Sequence, residues 1–295
     1  MTSTLLPSEI GLVAAEAVRE LGVRAIAGLP VADYAEKTPL LWSTVTGGGW
    51  DMIGAPESAD GGGASLRDLV EVARTCGSLA LPTPLVETIW VKRWSPAGRE
   101  LEGGLSLSVP RPGTADGSGL VPFGAADGVL AARELGSDQD TFESAAAGAP
   151  DSLSPILRPT VVPWVTTVSP EQARELLVLW AAESTGAAQR LVEVSVAYAK
   201  ERKQFDKAIG SFQAIKHRLA DMHSQAEYAD TALVWASTEP DNSVRAARYA
   251  LDTAITVAQG AIQVHGGMGF TWEMGLHYFL RSMLIRRELA LGLWP

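Results

Sequence analysis

Two long apolar stripes in the second half of the chain restrict its fold more than any other feature. Ile215, Leu219, Met222, Ala226, Ala229, Leu233 and Ala236 recur at alternating spacings of four and three. Val244, Ala247, Leu251, Ala254, Ala258, Ala261 and His265 alternate three and four. An α-helix turns once every 3.6 residues, so each set lines one face of one helix. Ala187, Leu191, Val194 and Tyr198 add a third stripe upstream. Faces this narrow and this long bury themselves by packing nearly parallel to one another, which is a helical bundle. "SPEQARELLVLWAAES" starts the first bundle helix, with Ser169 as N-cap and Pro170 at the first helical position. "GLHYFLRSMLIRRELALGLW" supplies a last one.

The earlier part of the chain has a different character. "SEIGLVAAEAVRELG" reads as a helix from a Ser cap to Gly22. "TPLLWSTVTGGGW" is a helix followed by glycines. After a Gly-rich loop, Ser65 caps a helix carrying Asp68 in its first turn and ending near Gly77. "GGLSLSVPRPG" and "LRPTVVPWVTTVSP" are β-rich, with "DQDTFESAAAGAPDSLSP" between them showing little periodicity. The expected organisation is mostly α with a small β module: a helical region over residues 1–97, a reduced β region over 98–168 and a helical bundle over 169–295.

Several function classes are excluded. The net charge of −10 argues against non-specific binding to nucleic acid or anionic membranes, which needs a basic face. No run of about 18 apolar residues offers a membrane span, and the N-terminus has no basic segment followed by an apolar core, so the cytoplasm is the default expectation. The single cysteine, Cys76, cannot form an internal disulfide and reads as a buried thiol. No cluster has metal-ligand spacing, and no nucleotide-binding glycine motif is present.

Two breaks in the bundle carry more than polar residues. "ERKQFDKAIGSFQ" and "IQVHGGMGFTWE" each combine a Gln with glycine and an aromatic residue. Arg202 offers a fixed positive fork suited to a phosphate. Gly266 and Gly267 admit a ligand close to the backbone, or supply positive φ. Phe205 and Phe212 offer flat apolar faces. This set suits a nucleotide with a diphosphate, whereas His217 and His265 fall on helical patterns and read as structural.

The stretches "YAKERKQFDKAIGSFQAIKHRLADM" and "AIQVHGGMGFTWEMGLHYFLR" resemble the acyl-CoA dehydrogenase family, as does "GWDMIGAPESADGGGASLRDLVEVARTCG" nearer the N-terminus. The β region resembles it only by position. The resemblance implies a helical N-terminal domain, a middle β domain and a C-terminal four-helix bundle enclosing FAD. The ADP half of the flavin then reaches the bundle of a neighbouring subunit. The implied cofactor residues are Arg202, Gln204, Phe205, Phe212, Gln213, Gln263, Gly266 and Gly267. Asp206 stands where the family usually has Gly; Asp tolerates the left-handed conformation better than most residues.

Family members remove an α-proton with a carboxylate while hydride leaves the β-carbon for the flavin. The usual Glu beyond the glycine loop has no counterpart before Pro295. An alternative family position falls on Leu176, with Glu175 one residue away and so turned by about 100° around the helix. Glu183 matches a non-catalytic family position. In the β region, "LSLSVPRPGTADGSG" departs from the family's flavin-covering loop, and Trp164 reads as core packing. The expectation is therefore a subunit without a catalytic residue, contributing the ADP side of an FAD site. Its partner is a full-length acyl-CoA dehydrogenase subunit, in an α2β2 heteromer that binds the acyl-CoA mainly through that partner. Resemblance to shortened actinobacterial subunits implies a steroid side-chain CoA thioester as substrate. The alternatives are a purely structural subunit without cofactor contact, or a self-sufficient homomeric dehydrogenase using Glu175.

Overall fold

The computed structural model describes residues 5–111, 113, 116–137, 139–145 and 154–294. The N-terminal helices are α1 (Glu9–Ile26), α2 (Thr38–Gly47), α3 (Leu66–Ser78), α4 (Leu85–Trp94) and the single turn α5 (Pro96–Arg99). The β module follows, with β1 (Leu105–Leu107), β2 (Val109–Pro110), β3 (Gly119–Val121), β4 (Leu130–Ala132), β5 (Phe142–Ser144) and β6 (Thr160–Val162). The bundle comprises α6 (Pro170–Glu201), a hairpin of β7 (Lys203–Gln204) and β8 (Lys207–Ala208), α7 (Gln213–Thr238), α8 (Ser243–His265) and α9 (Leu276–Leu293). The architecture is thus mostly helical with a small β module, as the sequence leads one to expect.

Local chemistry explains the helix starts. At α3, Ser65 accepts from the Asp68 N–H while Asp68 accepts from the Ser65 N–H, a reciprocal capping box. The same box joins Ser169 and Gln172 at α6, with Pro170 in the first turn. Each such cap contributes about 1 kcal/mol. Ser8 behaves differently: its side chain caps nothing, and its backbone N–H donates to Asp68 Oδ1 at 2.6 Å. α1 also runs past Gly22, where the sequence suggests a stop. A side chain at Gly22 would meet Leu79 and Leu81 at under 3 Å, so this glycine permits close packing instead of ending the helix.

The N-terminal helices share one core with α6, α7, α8 and α9, and a second cluster fills the loop end of the bundle. α3 crosses α6 at two glycines: a Cβ at Gly77 would sit 1.8 Å from the Glu183 carbonyl oxygen, and one at Gly186 would sit 2.0 Å from that of Arg74. Trp90 and Trp180 are fully buried in this core, and Trp90 Nε1 donates to the Gln172 carbonyl at 3.1 Å. The bundle stripes bury as read, with Met222, Ala226, Ala229, Leu233 and Ala236 on α7 packed inward. His265 belongs to the α8 stripe and is 3% exposed. His217 does not follow the expectation: it lies on the outer side of α7 and is exposed.

The β module is small. β1 pairs in parallel with β4, which pairs antiparallel with β5. β3 sits antiparallel between β2 and β6. No strand here exceeds three residues. β3, β4 and β5 escape the sequence reading because segments this short show no period. Residues 146–153 of the loosely patterned stretch lie outside the described residues. Trp164 packs against the module core of Val121, Ala131, Ala145 and Val162, with the Arg133 guanidinium 5.0 Å above its ring. It is a packing residue, as expected.

Candidate functional site

The loops α6–α7 and α8–α9 meet at one end of the bundle. α6 stops at Glu201, and Arg202 caps it in extended conformation. The chain then reverses through a two-residue hairpin, with Lys203 opposite Ala208 and Gln204 opposite Lys207. Phe205 and Asp206 form the turn with φ of 53° and 61°. A two-residue hairpin needs positive φ at both positions to match the twist of its strands. Asp accepts that conformation, so the turn survives without the usual glycine. Phe205 takes it at a cost of about 1–2 kcal/mol. The turn leaves its ring 85% exposed, edge-on to Phe212 with centroids 6.1 Å apart. Lys207 Nζ lies 4.4 Å from the centre of the Phe212 ring.

The second loop begins where α8 ends. Gly266 has φ 60° and ψ −136°, a combination that only glycine adopts readily. A 3-10 turn over Gly266–Phe270 follows. No atom lies within 4 Å of a Cβ built on Gly266 or Gly267, so the backbone is open to an incoming group. His265, just before it, donates from Nδ1 to the Ala261 carbonyl at 2.8 Å and stacks on Tyr198 at 4.2 Å. Burial holds its pKa below the usual imidazole range. It forms a wall of the site.

Between the two loops lies an open cavity of about 680 Å³, lined on one side by Tyr198, Arg202, Gln204, Phe205, Ile209 and Phe212. Ala214, Ile215, Val264, His265, Gly266, Gly267 and Met268 complete it. Six of the residues singled out from sequence are brought together here: Arg202, Gln204, Phe205, Phe212, Gly266 and Gly267. Gln213 and Gln263 are exposed and stand outside the cavity. Ile209, Val264 and Met268 add an apolar wall that no sequence signal marks, and Tyr198 and Ile215 join it where the helical stripes run out into the cavity at this end. The chemistry fits the ADP portion of a dinucleotide. Arg202 is the cation lining the cavity among the described residues, the aromatic faces suit a purine, and the glycine backbone is unobstructed.

The carboxylates weighed as bases are engaged elsewhere. Glu175 is 4% exposed. It receives Arg93 Nε at 3.1 Å and Trp94 Nε1 at 3.0 Å. Glu183 receives Arg286 Nη2 at 2.5 Å, and Arg286 Nη1 also stands 3.8 Å from Glu87. Trp180 Nε1 donates to Glu87 at 2.8 Å. These groups lie in the core between α3, α4, α6 and α9. Burial pushes the Glu183 carboxyl up to about 8 against the pull of Arg286, and burial also raises Glu87. The Cys76 thiol beside them is raised well above its ordinary value by burial and by both carboxylates, so it is inert. The adjoining cavity is only about 20 Å³, space for about one water. Leu176 is fully buried. Among the described residues no group of acidic, His and Cys side chains could hold a metal ion, and no helix is long and apolar enough to cross a membrane.

These features describe a helical-bundle protein with an open, largely apolar cavity between two bundle loops. Residues 177–290 match the family model of the acyl-CoA dehydrogenase C-terminal domain. Over 264 residues the chain is 32% identical to acyl-CoA dehydrogenase IpdE2 of Mycolicibacterium smegmatis, covering 83% of this chain and 81% of that protein. It is 33% identical over 267 residues to acyl-CoA dehydrogenase FadE34 of Mycobacterium tuberculosis, covering 78% of this chain but only 37% of that protein. The chain belongs to the acyl-CoA dehydrogenase family. Among solved structures, it matches a chain of the ChsE4–ChsE5 complex from Mycobacterium tuberculosis with TM-score 0.74 at 19% identity, covering 98% of this chain and 94% of that one. A variant of the Tcur3481–Tcur3483 steroid ACAD matches with TM-score 0.75 at 19% identity, again covering 98% and 94%. These two likenesses concern the fold.

Proposed function

We propose that this chain is a subunit of an FAD-dependent acyl-CoA dehydrogenase and lends the ADP side of the flavin site to a catalytic partner chain. The observation that carries this is the contrast within the chain: an open nucleotide half-site at the bundle end, and carboxylates locked in buried ion pairs. Arg202 would neutralise the diphosphate, Gln204 would donate to it or to a ribose hydroxyl, and Phe205 and Phe212 would flank the purine. Gly266 and Gly267 would admit the backbone approach, while Gln213 and Gln263 stand further out on the rim. When bound, FAD supplies the acceptor for the hydride leaving the acyl β-carbon. The division at residues 97 and 168 belongs to the same reading, with the bundle of 169–295 as the contributing part.

The likeness to FadE34 supports the pairing, because most of that protein lies outside the matched region. Two fold neighbours, a steroid ACAD and the ChsE4–ChsE5 complex, support a heteromeric assembly of steroid type, which we read as an α2β2 enzyme acting on a steroid side-chain CoA thioester. A homomeric enzyme using Glu175 is disfavoured, since Arg93 and Trp94 hold that carboxylate inside the core. The test is purification with and without a co-expressed full-length dehydrogenase subunit. The reading expects a colourless isolated chain and a yellow, active complex. Full flavin content and dehydrogenase activity in the isolated chain would overturn it.

A further inference from the structure

A separate cavity of about 640 Å³ opens among α1, α3, α6, α7 and α9, and it shares no residue with the cavity between the bundle loops. Its volume falls in the range of about 300–1,000 Å³ that holds small organic molecules. Its apolar lining comes from Val23 and Ile26 on α1, Leu79 just past α3, Val192 on α6 and Phe279 on α9. Arg19, Arg190 and Tyr34 face the same space, Tyr34 from the 3-10 turn Val31–Lys37. The charged groups divide into two sets. Arg74 is tied down: its Nε lies 3.1 Å from Asp230 and its Nη1 3.2 Å from Glu71, which also meets Arg67 at 2.7 Å. These groups hold α3 against α7. Arg19 and Arg190 differ. Among the described residues each pairs with one acid three residues away on its own helix, Glu16 at 3.5 Å and Glu193 at 3.1 Å, and all four side chains are exposed. Exposed pairs of that kind hold weakly. A guanidinium carries five N–H donors, so most of the donors on both arginines stay available to another acceptor. Burial raises the Tyr34 phenol above its ordinary value against the pull of Arg190, so the hydroxyl remains a donor too. Glu227, the remaining carboxylate of the lining, stands on α7 one turn from His223.

We infer that this cavity binds an amphipathic organic acid, with its carboxylate between Arg19 and Arg190 and its apolar body against Val23, Ile26, Leu79, Val192 and Phe279. The planar fork of a guanidinium matches the two oxygens of a carboxylate. A neutral lipid would leave these donors without an acceptor, and an organic cation would meet two like charges. The apolar lining gives the ligand's body a place out of water, which a small inorganic anion would not use. No residue of the flavin half-site takes part, so the inference stands independently of that reading.

The test is isothermal titration calorimetry with octanoate, kept below its micelle concentration, with circular dichroism confirming the fold of each variant. It is run on the purified chain, or on its complex with a dehydrogenase subunit where the chain is soluble only there. The wild type is expected to bind octanoate with a Kd below about 1 mM. The Arg19→Ala, Arg190→Ala double variant is expected to weaken binding by about tenfold or more. The same loss is expected when 1-octanol, which lacks the carboxylate, replaces octanoate. Val23→Trp, at an exposed position of α1, places a large side chain in the cavity and is expected to abolish binding. Arg24→Ala removes an arginine of α1 that does not line the cavity and is expected to leave binding unchanged, as is Arg202→Ala at the other cavity. Four results would each overturn the inference: no octanoate binding up to about 5 mM, equal affinity for 1-octanol, wild-type binding by the double variant or by Val23→Trp, or a loss in Arg24→Ala or Arg202→Ala as large as that of the double variant.

Discussion

Arg202 and Arg286 both stand in the bundle half of the chain, and they have opposite fates. Arg286 is buried between Glu183 and Glu87, where two carboxylates share one guanidinium. Arg202 is exposed beside aromatic rings, with no carboxylate partner among the described residues. A buried charge without a partner costs several kcal/mol, so evolution of a core fixes both ends of the pair. An exposed arginine next to open glycine backbone carries no such constraint and stays available for an anion. The comparison separates polar groups that hold the fold from those that can meet a ligand, and it assigns Glu175 and Glu183 to the first kind.

The largest expected break of that contrast is at Arg286. Arg286→Leu leaves Glu183 and Glu87 buried and unpaired, and should destabilise the chain by about 3–5 kcal/mol in chemical denaturation. The triple replacement Arg286→Met, Glu183→Gln, Glu87→Gln should recover much of that loss. A single Arg286→Leu loss under about 1 kcal/mol would mean that the cluster is solvated.

The next effect is in pH. Glu183 holds its proton more tightly in the fold, up to about 8, than in the unfolded chain near 4.5. Its contribution is therefore complete below the lower value and disappears as pH rises through the upper one, with a limiting slope of about 1.4 kcal/mol per pH unit. Denaturation midpoints between pH 6 and 9 should fall for wild type, and Glu183→Gln should flatten the curve. Equal slopes in the two proteins would remove Glu183 as the titrating group.

At the open end of the bundle the expected stability changes are small and of the other sign. Phe205→Gly relieves a left-handed phenylalanine and should raise stability by up to about 1 kcal/mol, seen as a higher Tm. The same change should weaken flavin retention in the complex, by removal of an exposed ring face. Arg202→Ala should leave the unfolding free energy of the chain within about 0.5 kcal/mol of wild type, because it breaks no ion pair.

The helical fold was legible because its signals are long. The α7 and α8 stripes each repeat over seven positions, and the caps at Ser65 and Ser169 carry their partners three residues on. Three-residue strands such as β3 and β4 offer no period to read. Gly22 looked like a stop and is a packing contact, which depends on Leu79 and Leu81 far along the chain. The cavity between the loops was legible in Arg202, Gln204, Gly266 and Gly267, whose chemistry is distinctive, whereas Gln213 and Gln263 stand outside it. Its apolar wall was not, because Tyr198 and Ile215 are indistinguishable in sequence from core residues of the same stripes. The buried cluster of Glu87, Glu183 and Arg286 was invisible for a related reason: its members come from three helices and carry no local pattern.

The most direct test of the central claim is equilibrium dialysis of FAD against the co-purified complex, comparing wild type with Arg202→Ala in this chain alone. The account predicts an intact complex of unchanged mass whose FAD affinity falls by about tenfold or more, as expected for loss of a charge-assisted contact to a phosphate. Unchanged FAD affinity in an intact Arg202→Ala complex would contradict it.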